Sequence, residues 1–200
     1  MSDAAQGTPG SSRWQVLGER SLYESPWVSL HLIDVVQPGG HRYAHHALRQ
    51  PAPAVACVVR RDDPSGPQVQ VLLLWRHRLV PDAWGWEVPA GRVEVGEALV
   101  TAAARETWEE TGWTVRDVRH VTGFHPVGGV GDHRFEVCLA LAGEQTGLPD
   151  PAEADRVEWV GLDRVRELVR DGLVQEGLSL VALMWLLSGL DEIAGRRPGS

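Results

Sequence analysis

The residues best placed to do chemistry lie in the stretch GRVEVGEALVTAAARETWEETGW, from Gly91 to Trp113. Its carboxylates Glu106, Glu109 and Glu110 stand at i, i+3 and i+4, so a helix carries all three on one side within about one and a half turns. Arg105 falls on that side too. Val100, Ala104, Thr107, Trp108 and Thr111 fall opposite, on a mostly apolar stripe expected to pack against a sheet. Three carboxylates held this close raise one another's pKa, which is costly unless a cation sits among them. Hard oxygen ligands of this kind suit Mg²⁺, with Mn²⁺ or Ca²⁺ as alternatives, and Mg²⁺ completes its shell with water and substrate phosphate. Arg105, one turn before Glu109, can brace that carboxylate, and Glu97, two turns before Arg105, can pair with it. Gly112 is a suitable helix C-cap. Taken alone, a Glu-rich helix face is also what a solvated surface helix presents. The surrounding pattern has to decide.

The elements that would position this helix can be read from turn chemistry and periodicity. WVSLHLIDVV alternates at period 2 and breaks at PGGHR, which predicts a hairpin in a small β segment over residues 13–50. PAVACVVR and QVQVLLLWRHR read as buried, paired strands around the turn-like RDDPSGP, and WGWEVPAG as a short strand ending in a turn. Residues 97–111 read as helix. VRHVTGFHPV, HRFEVCLALAGE and VEWVGL read as further strands, followed by helices near Asp163–Val169 and Leu178–Leu187. Interleaved strands and helices imply an α/β domain over residues 51–190, with a disordered tail at 1–12 and another tail at 191–200.

Composition narrows the function classes. The chain has 200 residues, 43% of them apolar, and a formal net charge of −8. Without a concentrated Lys/Arg block, a nucleic-acid polymer is a poor partner. An acidic protein can still hold a small phosphorylated ligand where metal ions bridge the two. No apolar run reaches the ~18 residues of a membrane span, and the N-terminus lacks a signal-peptide pattern, so a cytoplasmic location and no membrane partner are expected. Cys57 and Cys138 lie in apolar runs and read as small buried hydrophobes rather than a disulfide. No His/Cys cluster has zinc spacing, and no organic cofactor is expected.

The stretch from Gly91 onward resembles the Nudix box, G-x5-E-x7-R-E-U-x-E-E-x-G-U with U bulky and apolar. Gly91, Glu97, Arg105, Glu106, Glu109, Glu110, Gly112 and Trp113 match at the correct spacings. Thr107 departs from the family's usual aliphatic residue, on the face expected to pack. The resemblance implies an α/β/α sandwich with a mixed sheet, preceded here by the small β segment. It implies metal binding by Glu106, Glu109, Glu110 and the backbone carbonyl of Ala90, with Arg105 and Glu97 orienting the carboxylates. It also implies hydrolysis of a pyrophosphate, with a loop acid after the box as general base. Glu153 and Asp155 in LPDPAEADRVEWV are the two candidates.

Further features are similar to the ADP-ribose pyrophosphatase branch. LLLWRHRLVPDAWGWEVPAG matches that branch's strand, arginine-containing tripeptide and Glu-Leu-Pro-Ala-Gly run. Arg78 then takes the place of a phosphate-binding arginine and Glu87 that of the Glu before Pro-Ala-Gly, although Arg76 or Arg78 could instead be strand-end surface charges. The N-terminal segment carries Trp14, Tyr23 and Trp27. In that branch a similar appendage helps form a homodimer, and its aromatics can stack on adenine, unless they only fill a small core. Arg78, Glu87, Trp27, Gly91 and Glu97 therefore make up the expected substrate side. Pro126 comes slightly earlier than the branch's usual proline, and Gly128, Gly129 and Gly131 fit either a mobile loop or plain turns. The expected substrate is a small nucleotide, ADP-ribose or another nucleotide sugar. Dinucleoside polyphosphates or nucleoside triphosphates are alternatives, as is a non-catalytic nucleotide sensor.

Overall fold

The computed structural model describes residues 13–62, 65, 66 and 68–190. The tails expected at 1–12 and 191–200 lie outside the described residues, as does part of the RDDPSGP turn. The chain folds into two compact units. One comprises residues up to Pro51 with Val127–His133, the other Ala52–Pro126 with the residues from Arg134 onward. No helix among the described residues is long and apolar enough to cross a membrane.

The N-terminal unit is a three-stranded antiparallel sheet in the order β1 (Gln15–Glu24), β2 (Ser29–Val36), β3 (Arg42–Arg49). The expected hairpin is β2–β3, closed at Pro-Gly-Gly by Gln37 N–H donating to the His41 carbonyl at 2.9 Å. Residues Ile33, Val35 and Ala47, with Tyr43 against them, form its small core. The glycine segment after Pro126 belongs to this unit. Leu48 N–H donates to the Val130 carbonyl at 2.7 Å and Asp132 N–H to the Leu48 carbonyl at 3.2 Å.

The larger unit is built on a seven-stranded mixed sheet. Its main path runs β10 (Arg156–Gly161), β5 (Val69–Arg78), β4 (Ala54–Asp62), β9 (Phe135–Gln145), β8 (Trp113–Phe124). β4 and β9 are parallel and the other pairs antiparallel. Two short strands, β6 (Ala83–Glu87) and β7 (Ala90–Arg92), pair with β5 and β4. The central stretches of β4, β5 and β9 (AVACVV, VLLLW and VCLALA) are apolar at every position because both sheet faces are covered there. Val55, Cys57, Val59, Leu72 and Cys138 pack toward α1 (Leu99–Thr111). Ala56, Val58, Leu73, Val137 and Leu139 pack toward α2 (Leu162–Arg170) and α3 (Gly177–Leu187). The result is the expected helix–sheet–helix sandwich. The cysteines are free and buried, and burial pushes their thiols up, Cys57 to about 12 and Cys138 to about 11.

The face of α1 corrects the sequence reading. Ala102, Ala103, Thr107, Thr111 and also Glu110 are buried, whereas Val100 and Trp108 are 38% and 48% exposed. The buried stripe is rotated because small residues let the helix lie close to the sheet, and Trp108 is too large for that contact. Trp108 instead donates its indole N–H to the Thr146 hydroxyl at 3.0 Å. Thr107, the departure from the usual aliphatic residue, satisfies its buried hydroxyl on the Ala103 carbonyl at 2.7 Å. Gly112 caps the helix at φ +74°, its N–H donating to the Trp108 carbonyl, and a Cβ there would run into the Gly147 backbone.

Candidate active site

The first turn of α1 has no side-chain cap. Its order comes from the loop before it, where Glu97 accepts from the Glu94 N–H at 3.0 Å. Arg105 then grips Glu97 with two bonds, at 3.0 and 2.9 Å. The same guanidinium donates to Glu106 at 2.8 Å, to Glu109 at 3.0 Å and to the Arg92 carbonyl at 2.9 Å. These bonds to Arg105 hold Glu97 below the usual carboxylate range and push the guanidinium further up. The brace read from the spacing is therefore present in the structure, and one arginine serves three acids.

The acids of α1 meet different surroundings. Burial raises Glu106, and Arg105 only partly counters it. The Glu106 carboxyl fills the space over Gly91, so a Cβ at Gly91 would overlap it. Glu110 is only 4% exposed and accepts from Arg76 at 2.7 Å and from the Ala90 N–H at 3.0 Å. Burial is the largest influence on it, and despite these two donors its carboxyl is pushed up to about 7. Arg76 also pairs with Glu153. Thus a residue that could have been a surface charge is buried, at 7% exposure, and ties α1 to the loop before β10.

Two steps along β5, Arg78 donates to both oxygens of Glu87, at 2.9 and 2.5 Å. The Glu87 side chain is 2% exposed and that of Arg78 40%. Burial alone would lower the Arg78 guanidinium, but its bonds to Glu87 outweigh that and the net shift is upward.

These groups open into one cavity of about 310 Å³, entirely within the larger unit. Glu106, Glu109 and Glu110 line one side, with Ala90 and Gly91 beside them. Arg76, bonded to Glu110, and Arg78 line it too, with Glu153 from the loop before β10. Arg92 and Asp150 line it as well, and sequence reasoning missed both. The Glu-Glu-x-Gly ending of the box gives no hint of them, since they arrive from β7 and from a distant loop. Of the remaining expected residues, Glu97 is held away behind Arg105, Glu87 lines a neighbouring cavity, and Trp27 belongs to the N-terminal unit, where it is 72% exposed. Asp155 lines an adjoining cavity of about 250 Å³ that shares Arg76 and Glu153 with the first, its carboxylate 3.6 Å from Arg156. Both loop acids line this adjoining cavity, and of the two Glu153 also lines the carboxylate cavity.

Among the described residues, no three acidic, His or Cys side chains are gathered closely enough to hold a metal ion as they stand. Arginines occupy the carboxylates instead. The donor set nevertheless fits a hard divalent ion. It is all oxygen, it lines one cavity, and it includes a buried acid for which protonation is the alternative to a nearby cation.

The mixed sheet lies between helices, with the carboxylate helix α1 packed on one face, and the NUDIX domain model matches residues 50–181. The chain belongs to the Nudix family and is a pyrophosphohydrolase of nucleotide-type substrates; enzymes of this family generally use divalent metal ions. It is 36% identical over 176 residues to the CMP-5'-(N-acetyl-N-hydroxy-3-aminopropyl)phosphonate hydrolase of Streptomyces rubellomurinus, covering 88% of this chain and 82% of that one. It is 25% identical to the ADP-ribose pyrophosphatase of Bacillus subtilis, over 86% of this chain and 91% of that one. In fold it is similar to a solved ADP compounds hydrolase, with a TM-score of 0.77 over 90% of this chain and 96% of that one, at 17% identity.

Proposed function

We propose that this enzyme hydrolyses the pyrophosphate bond of a nucleoside diphosphate derivative, ADP-ribose or another nucleotide sugar, to a nucleoside monophosphate and a sugar phosphate. The observation that carries this reading is the single cavity lined together by Glu106, Glu109 and Glu110 and by Arg76 and Arg78. Glu106, Glu109, Glu110 and the Ala90 carbonyl would hold Mg²⁺, with Mn²⁺ as an alternative. A divalent ion bound there neutralises phosphate oxygens and lowers the pKa of a water. The chain's own groups do the rest. Arg78, fixed by Glu87, binds a phosphate oxygen through its exposed side. Arg105 and Glu97 position the helix carboxylates. Arg76 positions Glu110 and Glu153. Glu153 is favoured over Asp155 as the base that takes the water's proton, a role worth roughly 10²–10⁴-fold.

A second reading concerns the substrate. The Streptomyces relative's name describes a CMP-linked phosphonate, which favours a cytidylyl derivative over ADP-ribose. A homodimer through the N-terminal sheet also belongs to this proposal. What supports it is β1, exposed along all ten residues and paired on one edge with β2, an arrangement that invites further pairing. The deciding experiment incubates the protein and Mg²⁺ with ADP-ribose, CMP- and UDP-sugars, dinucleoside polyphosphates and nucleoside triphosphates, and resolves the products by chromatography. AMP from ADP-ribose, or CMP from a CMP derivative, supports the reading if it is lost with a chelator. Turnover confined to triphosphates or dinucleoside polyphosphates overturns the substrate class.

A further inference from the structure

A second cavity, with different chemistry, adjoins the carboxylates. It is about 260 Å³, lies between the β5–β6 connection and the segment joining α2 to α3, and shares Arg78 with the first cavity. Pro81, Ala83, Trp84 and Gly85 line it from one part of the chain and Gln175 and Glu176 from the other, with Glu87 beside Arg78, and its exposed surface is mainly apolar. Trp84 also borders the cavity that Asp155 lines.

The walls are already set in place. Trp84 is 47% exposed, yet its ring is stacked on Trp75, with centroids 6.0 Å apart and planes 19° apart, and His77 flanks it at 5.4 Å. Trp86 N–H donates to the Leu173 carbonyl at 2.8 Å, which ties β6 to the opposite wall. Glu176 is fixed as the N-cap of α3, accepting from Leu178 N–H at 2.9 Å and Ser179 N–H at 2.7 Å. Each of its oxygens keeps a further lone pair. A ligand would therefore meet an ordered aromatic ring and ordered acceptors, with little left to immobilise.

The chemistry selects the ligand. A sugar presents hydroxyls on every side, and with Glu87 already bound through both oxygens to Arg78, Gln175 and Glu176 are too few to partner them all. A further phosphate would meet Glu176. A flat aromatic group stacks on Trp84, and an exocyclic amino group can donate to the Glu176 carboxylate and the Gln175 amide oxygen. Cytosine, adenine and guanine carry such a group, whereas uracil does not. Resting on the reading that the enzyme cleaves a nucleoside diphosphate derivative, we propose that this cavity is the nucleobase subsite and selects amino-bearing bases over uracil, with the phosphate chain passing Arg78 into the carboxylate cavity.

Calorimetric titration of the full-length protein with CMP, AMP and UMP, in the presence of a chelator, tests this without any hydrolysis. CMP and AMP should bind at least about tenfold more tightly than UMP. Trp84→Ala should weaken both by about tenfold or more, the scale of one lost base stack. Trp84→Phe should stay within about threefold of wild type, and Gln175→Leu should narrow the gap to UMP. Near-UV circular dichroism establishes that each variant is folded. Equal affinity for all three nucleotides, no binding of any of them, or unaltered binding in Trp84→Ala would overturn the proposal. So would a loss of binding in Trp27→Ala that Trp84→Ala does not share. Turnover by the wild type is read separately. A protein that binds CMP through Trp84 but cleaves no nucleoside diphosphate derivative keeps the subsite and loses the hydrolase reading, whereas cleavage with a KM indifferent to Trp84→Ala does the reverse.

Discussion

The two units place their apolar residues in opposite ways. In the larger unit Val55, Val58, Val71, Leu73 and Leu183 are fully buried, and helices cover both faces of the sheet. In the N-terminal unit all ten residues of β1 are exposed, among them Val16, Leu17, Leu22 and Tyr23. Its core is the cluster of Ile33, Val35 and Ala47 with Tyr43. Apolar burial is the dominant favourable contribution to folding, so the larger unit supplies its own stability and also surrounds the whole carboxylate cavity. A three-stranded sheet with an open apolar edge gains much less by itself. The carboxylate cavity and most of the buried apolar side chains therefore lie in one unit, and the other carries an exposed strand with apolar residues along it.

The largest expected effect tests the claim that the chemistry lies in the larger unit. Glu110→Gln keeps a hydrogen-bonding group between Arg76 and Ala90 but removes the carboxylate. Turnover should fall by more than the roughly 10–100-fold typical of groups one step removed from a metal, with the melting temperature held. Full activity in this variant would take Glu110 out of the mechanism. Next, Leu183→Ala should destabilise the larger unit by about 2–5 kcal/mol in denaturant unfolding. A cost near zero would mean that α3 contributes little to the core.

A smaller effect follows from the buried acid. Burial raises the Glu110 carboxyl from its ordinary 4.5 to about 7. A carboxyl raised on folding favours the folded state fully below pH 4.5 and loses that advantage as pH rises through about 7. The melting temperature of the metal-free protein should fall across this window, and Glu110→Gln should flatten the decline. At about pH 6, Mg²⁺ binding should release most of one proton, read by calorimetry in buffers of different ionisation enthalpy. The smallest effect on stability belongs to the N-terminal unit. Leu22→Lys with Val16→Glu should change stability by no more than about 0.5 kcal/mol per site, yet reduce the solution mass seen by light scattering from dimer to monomer. An unchanged mass would break the contrast between the units.

Much of this site is legible in the chain because the box is local. Glu97, Arg105, Glu106, Glu109 and Glu110 sit within one loop and one helix, so spacing alone brings them near each other, and the Arg105 contacts follow. The phase of α1 was harder to read. Hydrophobicity puts Val100 and Trp108 inward, but packing against β4 and β9 favours the small Ala102 and Ala103, and size prevailed over apolarity.

The sequence by itself determined the family, the order of strands and helices, and the residues that carry the helix chemistry, because each is encoded in periodicity or in short spacing. Tertiary structure alone decided what lies opposite that helix. Arg76 reaches Glu110 across 34 positions and Glu153 across 77, and Trp84, Gln175 and Glu176 come to line one cavity only because β6 lies against the α2–α3 segment. Such meetings depend on how sheet and helices pack, and no local pattern in the chain records them.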